Sequence, residues 1–128
     1  MTTPLNILVV DDSLSMRIIA TQIIEGIGHT VIAQAENGKE ALKAYMEHRP
    51  DIVLLDLVMP VFDGKKTLKK LMQVDSQAKV VICSSLGSEG DIEYCLNEGA
   101  AFYLQKPYEE QAFETAFESI TTNTSPTA

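Results

Sequence analysis

Five short apolar runs recur along the chain: Leu5 to Val10, Val31 to Gln34, Ile52 to Asp56, Val80 to Ser84 and Ala101 to Leu104. They are near-continuous rather than alternating, as in strands whose two faces are both covered by helices in a parallel sheet. Between them apolar residues return with helical period, most clearly at Met16, Ala20, Ile23, Ile24 and Ile27 and again at Phe113, Ala116, Phe117 and Ile120. Ser13, Asn37 and Ser88 stand where N-caps belong, Gly28 and Gly99 stand where a left-handed residue ends a helix, and Pro50 closes the second helix. The spacing predicts helices over residues 14–27, 38–48, 64–74, 88–98 and 109–121. A β-α unit repeated five times implies an α/β fold, a doubly wound five-stranded parallel sheet with five helices.

In such sheets functional groups collect beyond the carboxyl ends of the strands. The first run ends in Asp11 and Asp12, the third in Asp56, the fourth in Ser84 and Ser85, and the fifth leads into Lys106 and Pro107. If those ends are neighbours, three carboxylates, a hydroxyl and an ammonium converge. Carboxylates that close repel one another, and a bound cation relieves the repulsion. The ligands are hard oxygens with no His or Cys nearby in sequence, a set that fits Mg²⁺ best, with Mn²⁺ as a substitute.

Each residue also has a plainer reading. Asp11 and Asp12 could cap the first helix, Ser84 could be a satisfied hydroxyl and Lys106 a surface lysine. Asp56 is harder to set aside, because an acid at the end of an apolar strand is seldom buried unpaired. Asp63 and Gly64, with Met59 and Pro60, read as a turn and no more.

Composition narrows the class. A chain of 128 residues with 45% apolar and 22% charged residues is expected to form one globular domain, here residues 1–121, followed by a polar tail at 122–128. A net charge of −8 without a basic run argues against direct nucleic-acid binding. Cys83 and Cys95 lack metal-ligand or redox spacing and read as reduced thiols in the core. With no export signal and no apolar run of membrane-spanning length, a cytoplasmic protein independent of membranes is expected.

Asp11-Asp12-Ser13 with Met16-Arg17, then Asp56-Leu57-Val58-Met59-Pro60 with Asp63-Gly64, then Ser84, and finally Lys106-Pro107 closely resemble the receiver domains of response regulators. The resemblance covers about residues 5–121 and implies strand order 2-1-3-4-5, the flavodoxin-like arrangement. It further implies that Asp56 is the phosphoacceptor for a histidine kinase or phosphotransfer protein. Asp12 would ligate the metal directly, Asp11 through a metal-bound water, and the Val58 backbone carbonyl would complete the protein's share beside Asp56. Lys106 would pair with Asp56 and then with the phosphoryl oxygens, and Ser84 would donate to the phosphoryl group. Tyr103 matches a switch aromatic whose plainer reading is a half-buried strand tyrosine.

The output face for a downstream partner would be the fourth helix, fifth strand and fifth helix, with Glu89, Glu93, Tyr103, Gln105 and Tyr108. Val58 and Leu86 are apolar where fast-cycling relatives carry polar side chains that orient water, so slow self-dephosphorylation is expected. Ser13, Met16 and Arg17 lean toward chemotaxis-type single-domain regulators, expected as monomers and as switches rather than enzymes. Three rivals stand beside this reading. An aspartyl phosphatase or phosphotransferase needs an acid-x-acid pattern on the first strand, and here the acids are adjacent. A flavin-binding relative would have to cradle a phosphate in the acidic loop from Asp11 to Ser15. A receiver-like module that never accepts phosphate would not need all five key positions filled.

Overall fold

The computed structural model describes residues 3–59, 63–85 and 89–123. In chain order it contains β1 (Asn6–Val10), α1 (Leu14–Gly26), β2 (Thr30–Ala35), α2 (Gly38–His48), β3 (Ile52–Asp56), α3 (Gly64–Val74), β4 (Val80–Ser84), α4 (Glu89–Asn97), β5 (Phe102–Gln105) and α5 (Glu110–Asn123). All strand pairs are parallel and the order is β2-β1-β3-β4-β5. β1 lies between β2 and β3, so the winding reverses direction there and a crevice opens beyond its carboxyl end.

Successive strand residues point to opposite faces, and both faces are buried. Leu8, Val10, Val53, Leu55, Val80 and Ile82 pack with Ala41 and Tyr45 of α2, Leu68 and Leu71 of α3, and Cys95 of α4. Ile7, Val9, Ile52, Leu54, Val81 and Cys83 pack with Ala20 and Ile24 of α1 and with Phe113, Ala116 and Phe117 of α5. At about 1.5–3 kcal/mol for each fully buried large apolar side chain, this two-sided core fixes the strands and therefore their ends. β3 and β4 are buried along their whole length. The edge strands β2 and β5 stay partly exposed, because an edge has a neighbour on one side only. Cys83 and Cys95 are free and buried, as the sequence suggests.

The helix ends follow local chemistry. Ser13 Oγ accepts from the Met16 amide at 3.3 Å, and Asn37 Oδ1 accepts from the Glu40 amide at 2.9 Å. Gly28 and Gly99 adopt left-handed backbone, with φ of 98° and 114°. Arg49, left-handed at φ 45°, ends α2 just ahead of Pro50. The expected cap Ser88, and Pro60 and Leu86, lie outside the described residues.

Asp63 is more than a turn residue: it caps α3, its Oδ1 accepting from the Lys66 amide at 2.9 Å. Gly64, where α3 begins, lies so close to the end of β3 that a Cβ would collide with the Leu57 Cα and sit 2.6 Å from the Asp56 carbonyl oxygen. Only glycine lets the helix start this near the strand end.

Candidate functional site

The strand ladders continue past the last strand residues and carry the polar groups in register. The Asp11 amide donates to the Ala35 carbonyl at 3.1 Å, Leu57 to Cys83 at 3.1 Å, and Lys106 to Ser84 at 2.8 Å. These bonds join the strand ends to their neighbours, and the β1–β3 pairing at Val10 and Leu55 sets the Asp11 and Asp56 segments side by side. Asp11, Asp12 and Asp56 bring one carboxylate oxygen each to within 4.8 Å of one another. Lys106 Nζ lies 3.2 Å from Asp11 Oδ2 and 3.3 Å from Asp56 Oδ1, so the lysine bridges two acids rather than pairing with Asp56 alone. Asp11 and Asp56 are buried, whereas Asp12 is exposed.

Asp11 and Asp56 share this one ammonium, and the Asp12 carboxylate lies beside them. Burial raises the Asp56 pKa above its ordinary value, the neighbouring Asp11 raises it further, and Lys106 and the Val58 amide only partly offset them. Burial also opposes the charge on Lys106, yet Asp56 and Asp11 outweigh it and hold the ammonium's pKa above its ordinary value. Close by, burial pushes the Cys83 thiol up to about 12, so it remains a neutral thiol and no soft ligand. Asp56 Oδ1 accepts a long hydrogen bond from the Val58 amide, 3.4 Å.

A cavity of about 540 Å³ is lined by Asp11, Asp12, Asp56, Val58, Ser84 and Lys106. Ser84 Oγ is buried and has no hydrogen-bond partner among the described residues. A buried hydroxyl without a partner is costly and marks a place where a polar group can bind. The donor set is all hard oxygen with an excess of negative charge, which fits a small divalent cation with several open positions. Sequence reasoning missed Asp63, Lys65 and Asp91, which line the same cavity. Lys65 Nζ reaches Asp91 Oδ1 at 2.6 Å, joining α3 to α4. No local signal marks that pair, since the partners meet only through helix packing.

Tyr103 does not line this cavity. It pairs in register with Ile82, two residues before Ser84, and is 42% exposed on β5. Glu89, Glu93 and Gln105 are also exposed. Tyr108, expected on the same surface, is half-buried with its ring edge-on to Phe113 at 5.1 Å.

Fold and site together define an α/β protein with an acidic, oxygen-lined pocket at the switch point of its sheet. Residues 7–118 match the response regulator receiver domain, and the chain belongs to that family, the receiver domains of two-component response regulators. It is 40% identical over 114 residues to the chemotaxis protein CheY of Listeria monocytogenes, covering 89% of this chain and 96% of the relative. It is 39% identical over 103 residues to CheY of Bacillus subtilis, covering 80% and 86%. Among solved structures it resembles a CheX–CheY–BeF3–Mg²⁺ complex from Borrelia burgdorferi, with a TM-score of 0.88 and 36% identity over 92% of this chain and 90% of that one. No described helix is long and apolar enough to cross a membrane.

Proposed function

We propose that the chain accepts a phosphoryl group on Asp56 from a phosphohistidine of a kinase or phosphotransfer protein, and that the acyl phosphate changes the surface formed by α4, β5 and α5. The observation that carries this reading is the convergence of a buried acid, a lysine and an unpartnered buried hydroxyl on one cavity. An Asp56 carboxylate oxygen attacks phosphorus as the phosphorus–nitrogen bond breaks and its electron pair returns to the imidazole. The nucleophile needs no base once ionised, so the task left to the protein is alignment and charge balance.

Asp11, Asp12, Asp56 and the Val58 backbone carbonyl would hold Mg²⁺, or Mn²⁺ in its place, which supplies the positive charge that lets an anionic phosphoryl group approach three acids. The Borrelia CheY relative with BeF3 and Mg²⁺ supports that assignment. Lys106 moves from bridging Asp11 and Asp56 to the phosphoryl oxygens, and Ser84 donates its hydroxyl to them. Hydrogen bonds to a charged group contribute about 1.5–3 kcal/mol each, enough to shift a two-state equilibrium at least tenfold. Tyr103, Glu89, Glu93 and Gln105 lie on the surface that a downstream protein reads. The chain acts as a cytoplasmic monomeric switch over residues 1–121, not as a turnover enzyme.

The decisive experiment adds beryllofluoride and Mg²⁺ to the full chain and follows amide chemical shifts in α4, β5 and α5. Asp56→Ala abolishes the response; a variant that responds like the wild type removes Asp56 from the role. Val58 lines the cavity with an apolar side chain that is 76% exposed. It leaves attacking water without a polar guide, so the acyl phosphate is lost slowly and Val58→Asn speeds its loss. Wild-type turnover within seconds contradicts this.

A further inference from the structure

We infer that Arg17 is a positioning residue for the acidic loop and sets the affinity for the divalent cation by gripping the Asp11 carbonyl. The inference rests on the reading of the site given under the proposed function. Arg17 Nη1 donates to the Asp11 main-chain oxygen at 2.7 Å, and its Nε donates to Gln34 Oε1 at 3.0 Å on the neighbouring β2. Asp11 is held at every other polar atom as well. Its amide donates to the Ala35 carbonyl, Oδ1 accepts from the Ser13 amide at 2.9 Å, and Oδ2 accepts from Lys106 at 3.2 Å.

Asp12 is different. Its carboxylate is exposed and, among the described residues, makes no hydrogen bond or ion pair. With no anchor of its own, its orientation toward Asp11 and Asp56 depends on the peptide behind it. The carbonyl of that peptide belongs to Asp11, and Arg17 is the side chain that holds it. A guanidinium suits the task, because its planar fork fixes two acceptors at once and keeps its charge at any working pH. It also places a positive charge on the main-chain side of two adjacent acids, where Lys106 does not reach. Arg17 itself is set by α1, whose first turn begins with its amide donating to the Ser13 carbonyl at 3.0 Å. A residue that orients a ligand without touching the metal commonly controls affinity strongly.

The test is calorimetric titration of the full chain with Mg²⁺ alone, beside melting curves in chelator. Arg17→Ala weakens Mg²⁺ binding by roughly tenfold or more, Arg17→Lys retains part of the affinity, and Gln34→Ala loses less. Because Gln34 acts only through Arg17, the double variant is no worse than Arg17→Ala. A purely structural brace would lower the metal-free melting temperature and leave Mg²⁺ affinity unchanged, and that result overturns the inference. Should Arg17→Ala fail to fold, unchanged Mg²⁺ affinity in both Arg17→Lys and Gln34→Ala overturns it equally. A wild-type chain that shows no Mg²⁺ response overturns the site reading as well, which separates the two failures.

Discussion

The two ends of the same parallel strands handle polar groups in opposite ways. At the amino end, three polar contacts are closed by short hydrogen bonds. The Leu5 amide donates to His29 Nδ1 at 2.9 Å, the Asn6 amide to Asp51 Oδ2 at 2.7 Å, and the Tyr45 hydroxyl to Asp75 Oδ2 at 2.7 Å. At the carboxyl end three acids cluster while only two of them share one lysine, and the Ser84 hydroxyl has no partner among the described residues. The first end is built for stability and the second departs from the rule that buried polar groups are matched. Such departures gather where a ligand is to complete the set, and the rest of the fold offsets their cost.

The largest expected effect lies at the matched end. His29→Ala leaves the Leu5 amide unpaired and removes the edge-on contact with Phe117 at 5.4 Å, costing about 2 kcal/mol in denaturant unfolding. Burial holds the His29 pKa below its ordinary 6.5. Its contribution is therefore present above 6.5 and lost as pH falls through the lowered folded value. A wild-type stability that does not fall with acid more than that of His29→Ala would mean the ring is not a neutral acceptor.

The unmatched end should respond with the opposite sign. In metal-free protein Asp56→Asn raises stability by about 1 kcal/mol, roughly 4 °C in melting temperature. The raised Asp56 pKa means its favourable contribution is complete below 3.8 and lost as pH rises through the folded value. The gain over wild type thus grows with pH, and it shrinks or reverses when Mg²⁺ is added, because the ion binds only the folded wild-type site tightly. A variant less stable than the wild type in chelator would show that the acids are not in conflict.

The smallest change is the most diagnostic. Ser84→Ala should move stability by no more than about 0.5 kcal/mol, since no hydrogen bond is lost, while weakening beryllofluoride binding about tenfold. A loss of stability comparable to that of His29→Ala would reveal a hidden partner and erase the contrast between the two ends.

Much of this was legible from local pattern. The near-continuous runs at Ile52 to Asp56 and Val80 to Ser84 coincide with β3 and β4, because a strand buried on both faces leaves no place for polar residues until it ends. Asp11, Asp56, Ser84 and Lys106 were visible for the same reason, as the polar groups where apolar runs stop. Asp63 was misread because an Asp-Gly pair signals a turn equally well. That it caps a helix depends on how closely Gly64 packs on Leu57.

The order of hydrophobic and polar residues determined where strands and helices lie and which chemical groups close each strand, since periodicity is a property of neighbouring residues. Only the folded chain decided which groups meet. Lys106 lies 95 residues from Asp11 and 50 from Asp56, Arg17 reaches back to a carbonyl while gripping an adjacent strand, and His29 closes on the start of β1. Those pairings arise from packing two helical layers onto one twisted sheet, a constraint that acts between segments and leaves no trace within any one of them.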